Sequence, residues 1–402
     1  MVELMLNKRV ENMKPSATLA MAAMARNLID EGVDVVSLSA GEPDFDTPQC
    51  IVEVGKAAID AGKTHYSAVR GTKVMLSALR EKFLRDQGVS YNADEVMCTV
   101  GAKSAILMAL KAMLEEGDEV IIFAPYWVSY VEQVHLYGAK TVVVPCTAKN
   151  NFMPEPEAIK KAITKKTKAM ILNSPNNPSG GVISKEQLLG LAEALEGTSI
   201  WLISDEIYEK LVYDDVKHYS PSALSDDMRK RTVVISGASK GYAMTGWRVG
   251  FAAGEARIIT AMANLQGQDT TCLPEFVQDA AAFALWEGPK VKQALDEMKE
   301  AYRARREIGL AGFQTLLPEV KTFKPKGAFY IWADFSYYIG KSIRGSKIVD
   351  DMDLALRMLK EAHVASVPGK PFGAYGFLRF SIASSISDIE RAIQRISIWL
   401  HE

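Results

Sequence analysis

The stretch RTVVISGASKGYAMTGWRVGFAAG, Arg231–Gly254, decides how this chain is read. Two apolar runs bracket a glycine-rich polar connection, so two buried strands are expected with a functional segment between them. Inside it, Gly237-Ala238-Ser239-Lys240-Gly241 fits the G-x-S-x-G pattern of a strained serine nucleophile elbow, but a lysine follows the serine directly. If Ser239 carries the chemistry, the protein is an acyl-transfer hydrolase; if Lys240 does, it presents an amine that condenses with carbonyls. An elbow needs a helix starting right after the serine, an upstream oxyanion loop, and a later acid and histidine. Here the residues after Lys240 carry glycines spaced unlike any amphipathic helix, no HGGG-type loop occurs, and nothing marks His363 as a partner. The lysine reading is the better one.

Working outward, short apolar runs recur from about residue 95 to 254: EVMCTV, DEVIIFAP, KTVVVPC, KAMILNSP, SIWLISDE, RTVVISGAS and RVGFAAG. Apolar on both faces, they read as buried strands, and between several of them lie helical patterns such as Lys185–Leu195. This alternation predicts an α/β domain whose mostly parallel sheet is covered by helices. After about residue 288 the texture changes. KVKQALDEMKEAYRARREIGLAGFQTLL reads as one long charged amphipathic helix bridging two domains, and GAFYIWADF and GFLRFSIAS alternate like strands. A closing helix is expected over Asp388–Leu400, with Ser387 and Glu390 spaced as a capping box. The expected division is an N-terminal arm with part of a small α+β domain over 1–49, a large domain over 50–290, and the small domain with its bridging helix over 291–402.

The 402 residues exceed one ordinary core, and a composition 48% apolar and 24% charged is that of a globular protein. With a net charge of −2 and no dense run of Lys and Arg, nucleic acid is not an expected partner. Neither a signal sequence nor a bilayer-crossing apolar run is present, so a cytoplasmic location is expected. Cys50, Cys98, Cys146 and Cys272 form no C-x-x-C pair and the five histidines no H-E-x-x-H, so no metal is expected. The AGKT at Ala61–Thr64 lacks the earlier glycine of a P-loop, where Ala57 stands instead.

In open α/β sheets, ligands lie beyond the carboxyl ends of the strands, so the polar residues there define the chemistry. After the first run comes Gly101-Ala102-Lys103 at a helix start, a seat for phosphate. Later ends carry Tyr126 and Trp127, then Asn176 and Asn177, then Asp205, Glu206 and Tyr208, then Lys240 with Arg248 eight residues on. A carboxylate at the end of a buried strand, such as Asp205, asks for a buried cation. Phosphate seat, flat aromatic, carboxylate, lysine and arginine together describe a site for pyridoxal 5'-phosphate. The lysine forms a Schiff base with the aldehyde, the carboxylate keeps the pyridine nitrogen protonated, the aromatic stacks on the ring and the arginine holds the phosphate.

At these residues the chain resembles a class I aminotransferase of fold type I, of the bacterial-type aspartate aminotransferase subgroup that includes bifunctional aspartate/prephenate enzymes. The resemblance runs nearly end to end through MKPSATLAM, LSAGEPDFDTP, GKTHYSAVRG, TVGAKSA, APYWVSY, NSPNNPSGG, SDEIYE, SKGYAMTGWRVG, KPKGAFY and LRFSIASS, in family order. It implies a seven-stranded, mostly parallel sheet in the large domain. It implies that Lys240 carries the cofactor and moves the proton, Asp205 faces the ring nitrogen, Trp127 stacks on the ring, and Asn177 and Tyr208 bond the ring hydroxyl. Gly101, Ala102, Lys103, Ser239 and Arg248 would line the phosphate side, and Tyr66 would reach the phosphate of a neighbouring subunit, which makes a homodimer with shared sites. The position three before the lysine, a phosphate-binding serine in some relatives, is Gly237; either Ser236 substitutes or Ser239 acts alone.

The resemblance also places Arg379 and the Gly41 backbone on the substrate α-carboxylate, and Lys103 with the hydroxyls of Ser16 and Thr18 on a distal carboxylate. Lys14 matches the basic position associated with prephenate. The implied activity is transfer of an amino group between aspartate or glutamate and 2-oxoglutarate or oxaloacetate in two half-reactions; aromatic, alanine or methionine specificity is the alternative. A non-catalytic regulator of the same fold would carry a basic DNA-binding module, for which the segment before LSAGEPDF is too short and lacks a helix-turn-helix pattern.

Overall fold

The computed structural model describes residues 4–401. Its centre is a sheet of seven strands: β1 Val96–Val100, β2 Glu119–Ala124, β3 Lys140–Pro145, β4 Thr167–Asn173, β5 Trp201–Asp205, β6 Thr232–Gly237 and β7 Val249–Ala253. They lie in the order β1-β7-β6-β5-β4-β2-β3. Neighbours pair in parallel except β7, which runs against both β6 and β1. The seven apolar runs therefore form the expected mostly parallel sheet. Burial on both faces explains their continuous hydrophobicity: Ile121, Ile122, Met170, Leu202, Val233, Val234 and Phe251 are all inaccessible to solvent. One run departs from the expectation. β3 is an edge strand whose Val143 is 44% exposed, because only one neighbour and one covered face are available to it.

Helices cover the sheet. Lys185–Leu195 forms with the expected limits, started by a reciprocal capping box in which Ser184 Oγ accepts from Gln187 N and Gln187 Oε1 accepts from Ser184 N. Gln49–Asp60 is helical through Ala57, which disposes of a phosphate-binding loop at AGKT.

The bridging helix is Pro289–Leu316, 28 residues, entered through a proline that needs no hydrogen-bond partner for a missing N–H. It packs on the last helix and against a four-stranded antiparallel sheet made of β8 Lys321–Thr322, β9 Tyr330–Asp334, β10 Val367–Pro368 and β11 Phe377–Ser381, in the order β10-β11-β9-β8. Phe313, Trp399, Phe329 and Phe380 fill the core between them. The N-terminal segment joins this unit, since Val36–Ser37 pairs in parallel with Val364–Ala365. The last helix spans Ile386–His401 rather than 388–400. Its cap is Ser385, whose Oγ accepts from Asp388 N at 3.1 Å, so the serine two positions before Ser387 captures the free amide.

Candidate active site

Six of the seven strands end at one edge of the sheet, and β7, running the other way, begins there. That reversal brings Arg248, which precedes a strand, to the same edge as Asp205, which ends one, and Lys240, which follows one. A cavity of about 420 Å³ opens at this edge, between the sheet and the small sheet's β9 and β11. Its walls include Ser16, Thr18, Gly41, Ala102, Lys103, Trp127, Asn177, Asp205, Tyr208, Ser239, Lys240, Arg248 and Arg379. Residues from five strand ends and from the N-terminal arm thus converge on one space.

Asp205 is the last residue of β5 and is 4% exposed. Its Oδ2 accepts from the Tyr130 hydroxyl at 2.5 Å and its Oδ1 from Ile207 N at 3.2 Å. Burial pushes its carboxyl up to about 6, and these two donors hold back a larger rise. Asn173, at the end of β4, donates from Nδ2 to the Asp205 carbonyl at 3.0 Å and accepts from Asn177 N at 2.8 Å, so the two strand ends are locked together.

Lys240 lies in a single helical turn, Ala238–Gly241, after β6. A helix does form around the serine, starting one residue before it, but it ends one residue after the lysine. The Lys240 amine donates to the Gly41 carbonyl at 2.7 Å, and burial lowers its pKa to about 8, with Arg248 and Arg379 adding to the fall and Glu42 and Asp205 opposing it. Arg248 has φ of +57° and donates from Nη1 to the Thr245 carbonyl at 2.8 Å. Gly101 has φ of +81°, and a side chain there would run into the Arg248 guanidinium. Glycine at this position keeps a cradle of backbone and guanidinium open beside Ser239 and Ala102.

Ser236 is not part of it. Its hydroxyl donates to Glu209 Oε1 at 2.7 Å and to the Glu206 carbonyl at 3.3 Å, on the far side of the sheet end from the cavity, because successive residues of β6 point to opposite faces. Of the two serines, only Ser239 lines the cavity.

Arg379, on β11, is buried among the rings of Tyr330 and Phe372, 4.4 and 5.4 Å from its guanidinium carbon. It donates to Asn177 Oδ1 at 3.0 Å and to the Ser39 carbonyl at 2.8 Å, while its Nε is buried without a partner. Burial lowers the pKa of this guanidinium, and no carboxylate among the described residues pairs with it. Tyr208 and Tyr330 share a hydrogen bond of 2.7 Å across the two sheets. Lys103 holds its ammonium 4.8 Å from the Trp127 ring centroid; burial and then Arg248 lower its pKa. Opposite, Ser16 and Thr18 share a 2.8 Å hydrogen bond, at the start of the helix Ala17–Asp30.

Two of the expected residues lie outside this chain's cavity, Tyr66 among them as a residue expected to serve a neighbouring subunit. Tyr66 is 87% exposed and outside the cavity wall. Lys14 is also outside it, and its backbone amide is held by Glu132 Oε2 at 3.1 Å. Sequence reasoning missed Tyr130, Asn173, Tyr330, Ser39, Glu42 and Thr245. All six lie within motifs already singled out, and the strand-end position of Asn173 was a usable signal. Glu206, Glu209 and His218 bring ligand atoms within 4.8 Å of one another, but Lys82 Nζ already lies 2.5 Å from Glu209 and His218 Nε2 2.8 Å from Glu206. Glu209 of that cluster is thus already paired with a lysine ammonium, and Glu206 with the imidazole.

The cavity wall carries four cationic side chains, Lys103, Lys240, Arg248 and Arg379, against two carboxylates, Glu42 and Asp205. An excess of positive charge along the cavity wall, with a buried and unpartnered guanidinium nitrogen on Arg379, fits an anionic ligand at each end. The open cradle at Gly101, the amine of lowered pKa and the buried carboxylate opposite it fit the phosphate, aldehyde and ring nitrogen of pyridoxal 5'-phosphate.

The chain is 41% identical over 392 residues to the aspartate/prephenate aminotransferase of Thermus thermophilus, covering 98% of each, and 42% identical over 396 residues to the aspartate aminotransferase of a Bacillus species, covering 98% of this chain and 99% of that one. The structure of Thermus thermophilus aspartate aminotransferase with maleate superposes with a TM-score of 0.93 at 41% identity, covering 99% of this chain and all of that one. The sequence model of the aminotransferases of class I and II matches residues 33–396, and the chain belongs to that family.

Proposed function

We propose that this protein is a pyridoxal 5'-phosphate-dependent aspartate aminotransferase, and the observation that carries the reading is the cationic excess of a cavity holding a lysine of lowered pKa against a buried carboxylate. When bound, the cofactor supplies an aldehyde and an electron-withdrawing ring that acidifies the substrate's Cα–H. Lys240 would hold it, and its neutral amine, once freed, would take the proton from the substrate's Cα and carry it through the transfer. A pKa of about 8 makes that amine available near neutrality. Asp205 keeps a proton on the ring nitrogen, and Tyr130 keeps Asp205 ionised and aimed. Gly101, Ala102, Ser239 and Arg248 seat the phosphate, Trp127 covers the ring, and Asn177 and Tyr208 orient its hydroxyl.

Arg379 clamps the α-carboxylate with its two outer nitrogens, and the Gly41 segment closes beside it. Lys103 leaves the Trp127 face for the substrate's distal carboxylate, assisted by Ser16 and Thr18. The maleate of the Thermus thermophilus structure, a dicarboxylate, supports a site with two carboxylate positions. Prephenate, with a ring carboxylate, fits the same pair of positions, with Lys14 on the arm above. Supporting the division of the chain at residues 49 and 290 are the pairing of Val36–Ser37 with the small unit and the long helix from Pro289. Among the described residues no helix is long and apolar enough to cross a membrane, which supports a cytoplasmic site of action. Tyr66, exposed on each subunit, reaches the phosphate of a second copy in a homodimer.

Two measurements test this. Borohydride reduction of the protein loaded with cofactor, followed by peptide mapping, is expected to place the label on Lys240; a label on another lysine sinks the assignment. In steady state, aspartate is expected to surpass alanine and phenylalanine as donor. Lys103→Met should lower the specificity constant for aspartate about thirtyfold or more while leaving phenylalanine nearly unchanged, since a carboxylate paired with a charged donor in a closed site contributes roughly 2 kcal/mol or more. Equal losses for both substrates would remove Lys103 from the distal site.

A further inference from the structure

The loop that delivers Arg248 to the cavity is held in a costly shape. Two of its non-glycine residues, Ala243 and Arg248, have left-handed backbones, with φ of +51° and +57°. Such conformations persist only when neighbours over-determine them. The neighbour here is the segment Gly41–Thr47, which runs from the N-terminal strand to the helix Gln49–Asp60. Thr47 sits at the centre of the contact. Its Oγ1 donates to the Ala243 carbonyl at 2.7 Å and accepts from Trp247 Nε1 at 3.0 Å, so one hydroxyl ties both ends of the turn that precedes Arg248. Glu42 Oε2 accepts from Thr245 Oγ1 at 3.1 Å, and the Thr245 carbonyl in turn accepts from Arg248 Nη1 at 2.8 Å. Trp247 lies against Gly55, where a Cβ would meet its ring at 2.7 Å, so the indole has one seat. The other side of the segment is pinned to the bridging helix, where Arg305 Nη1 reaches Asp44 Oδ1 at 2.7 Å and Phe45 packs edge-on to Tyr302 at 5.6 Å.

We propose that Thr47 is a positioning residue for the phosphate grip: its hydroxyl holds the turn 243–247 so that the Arg248 guanidinium stays beside Gly101. The inference rests on the cofactor reading given above. It also joins two ends of the site, because the segment that Thr47 terminates begins at Gly41, whose carbonyl receives Lys240 Nζ.

The test is equilibrium dialysis of cofactor-free protein against pyridoxal 5'-phosphate and, separately, against pyridoxal, which lacks the phosphate. Thr47→Val keeps the side chain's shape and removes both hydrogen bonds. It is expected to weaken binding of the phosphorylated ligand about ten- to thirtyfold, the scale for one or two lost buried hydrogen bonds, and to leave pyridoxal unchanged. Thr47→Ser should restore binding to within about threefold of the unaltered protein on the same scale. Trp247→Phe, which deletes only the Nε1 donor, should show a smaller loss with the same selectivity and serves if Thr47→Val does not fold. Full affinity for the phosphorylated ligand in both variants overturns the proposal, as do equal losses for the two ligands. If the unaltered protein takes up neither ligand, the cofactor reading itself has failed; if it takes up both and only the selectivity is missing, the role of Thr47 alone has failed.

Discussion

Asp205 carries a carboxyl pushed up to about 6 by burial, against an ordinary value of 3.8, and it is the residue on which a stability measurement and an activity measurement should disagree. The unfolded chain gives up this proton near 3.8 and the folded cofactor-free protein near 6. Between these values the native state binds more protons, so its stability falls as pH rises through the window and stays lower above it. The full penalty is on the order of 3 kcal/mol. Asp205→Asn removes the charge and keeps the size, and the Tyr130 hydroxyl can turn to accept from the new amide. The cofactor-free variant is therefore expected to be about 1–3 kcal/mol more stable than the unaltered protein above about pH 6, and no more stable below about pH 4, in urea denaturation. Its turnover with cofactor should fall about a hundredfold or more, the usual scale for losing a preorganised electrostatic group. A variant no more stable at neutral pH would mean that burial of Asp205 is already compensated in the cofactor-free protein. At this scale the sequence was most informative, because Lys240 and Trp127 stand within the first few positions beyond a strand, Asp205 is the last residue of one, and Arg248 directly precedes one. Ser236 was the ambiguous case. Of two serines near one lysine, Ser236 lies within β6 and Ser239 in the helical turn after it, and where the strand ends is something a run of apolar letters leaves open.

Elements were legible in kind and less so in placement. All seven apolar runs are strands, yet nothing in RVGFAAG distinguishes an antiparallel strand from its parallel neighbours, because a strand buried on both faces has the same composition in either direction. That direction matters to the chemistry, since it alone puts Arg248 at the ligand edge. Similarly, KTVVVPC has the letters of a central strand and the position of an edge strand, with Val143 exposed; sheet order is set by which helices cover which strands, not by the strand itself. Helix limits followed capping chemistry closely at Ser184, where serine and glutamine stand three apart with no competitor. They slipped at the last helix, where Ser384 and Ser385 precede the first turn and Ser387 lies within it, and the winner is decided by which hydroxyl reaches the free amide of Asp388. The ties between elements were not legible at all: Thr47 with Trp247 spans 200 positions and Arg379 with Asn177 spans 202, and neither pair has a local signature.

At the scale of the whole molecule, the proposed homodimer predicts that a second copy of the chain completes the site. Tyr66 is 87% exposed, and the N-terminal arm presents Leu4, Met5 and Leu6 at 91, 79 and 70% exposure, apolar surface that a lone chain would leave in water. A second copy related by a two-fold axis would cover such surface on both chains at once and bring each Tyr66 to the other's phosphate cradle. Subunit complementation decides it. Lys240→Ala inactivates its own site, and Tyr66→Asp puts a negative charge where the partner's phosphate would lie. If Tyr66 acts across the interface, a mixed dimer of the two variants contains one site built from Lys240 of one chain and Tyr66 of the other, both intact. Random pairing of equal amounts makes about half of the dimers mixed, each with one of its two sites whole, so co-expression should recover about a quarter of normal activity from two nearly inactive proteins. If Tyr66 serves its own chain, every site in the mixture lacks one of the two residues, and mixing should recover nothing.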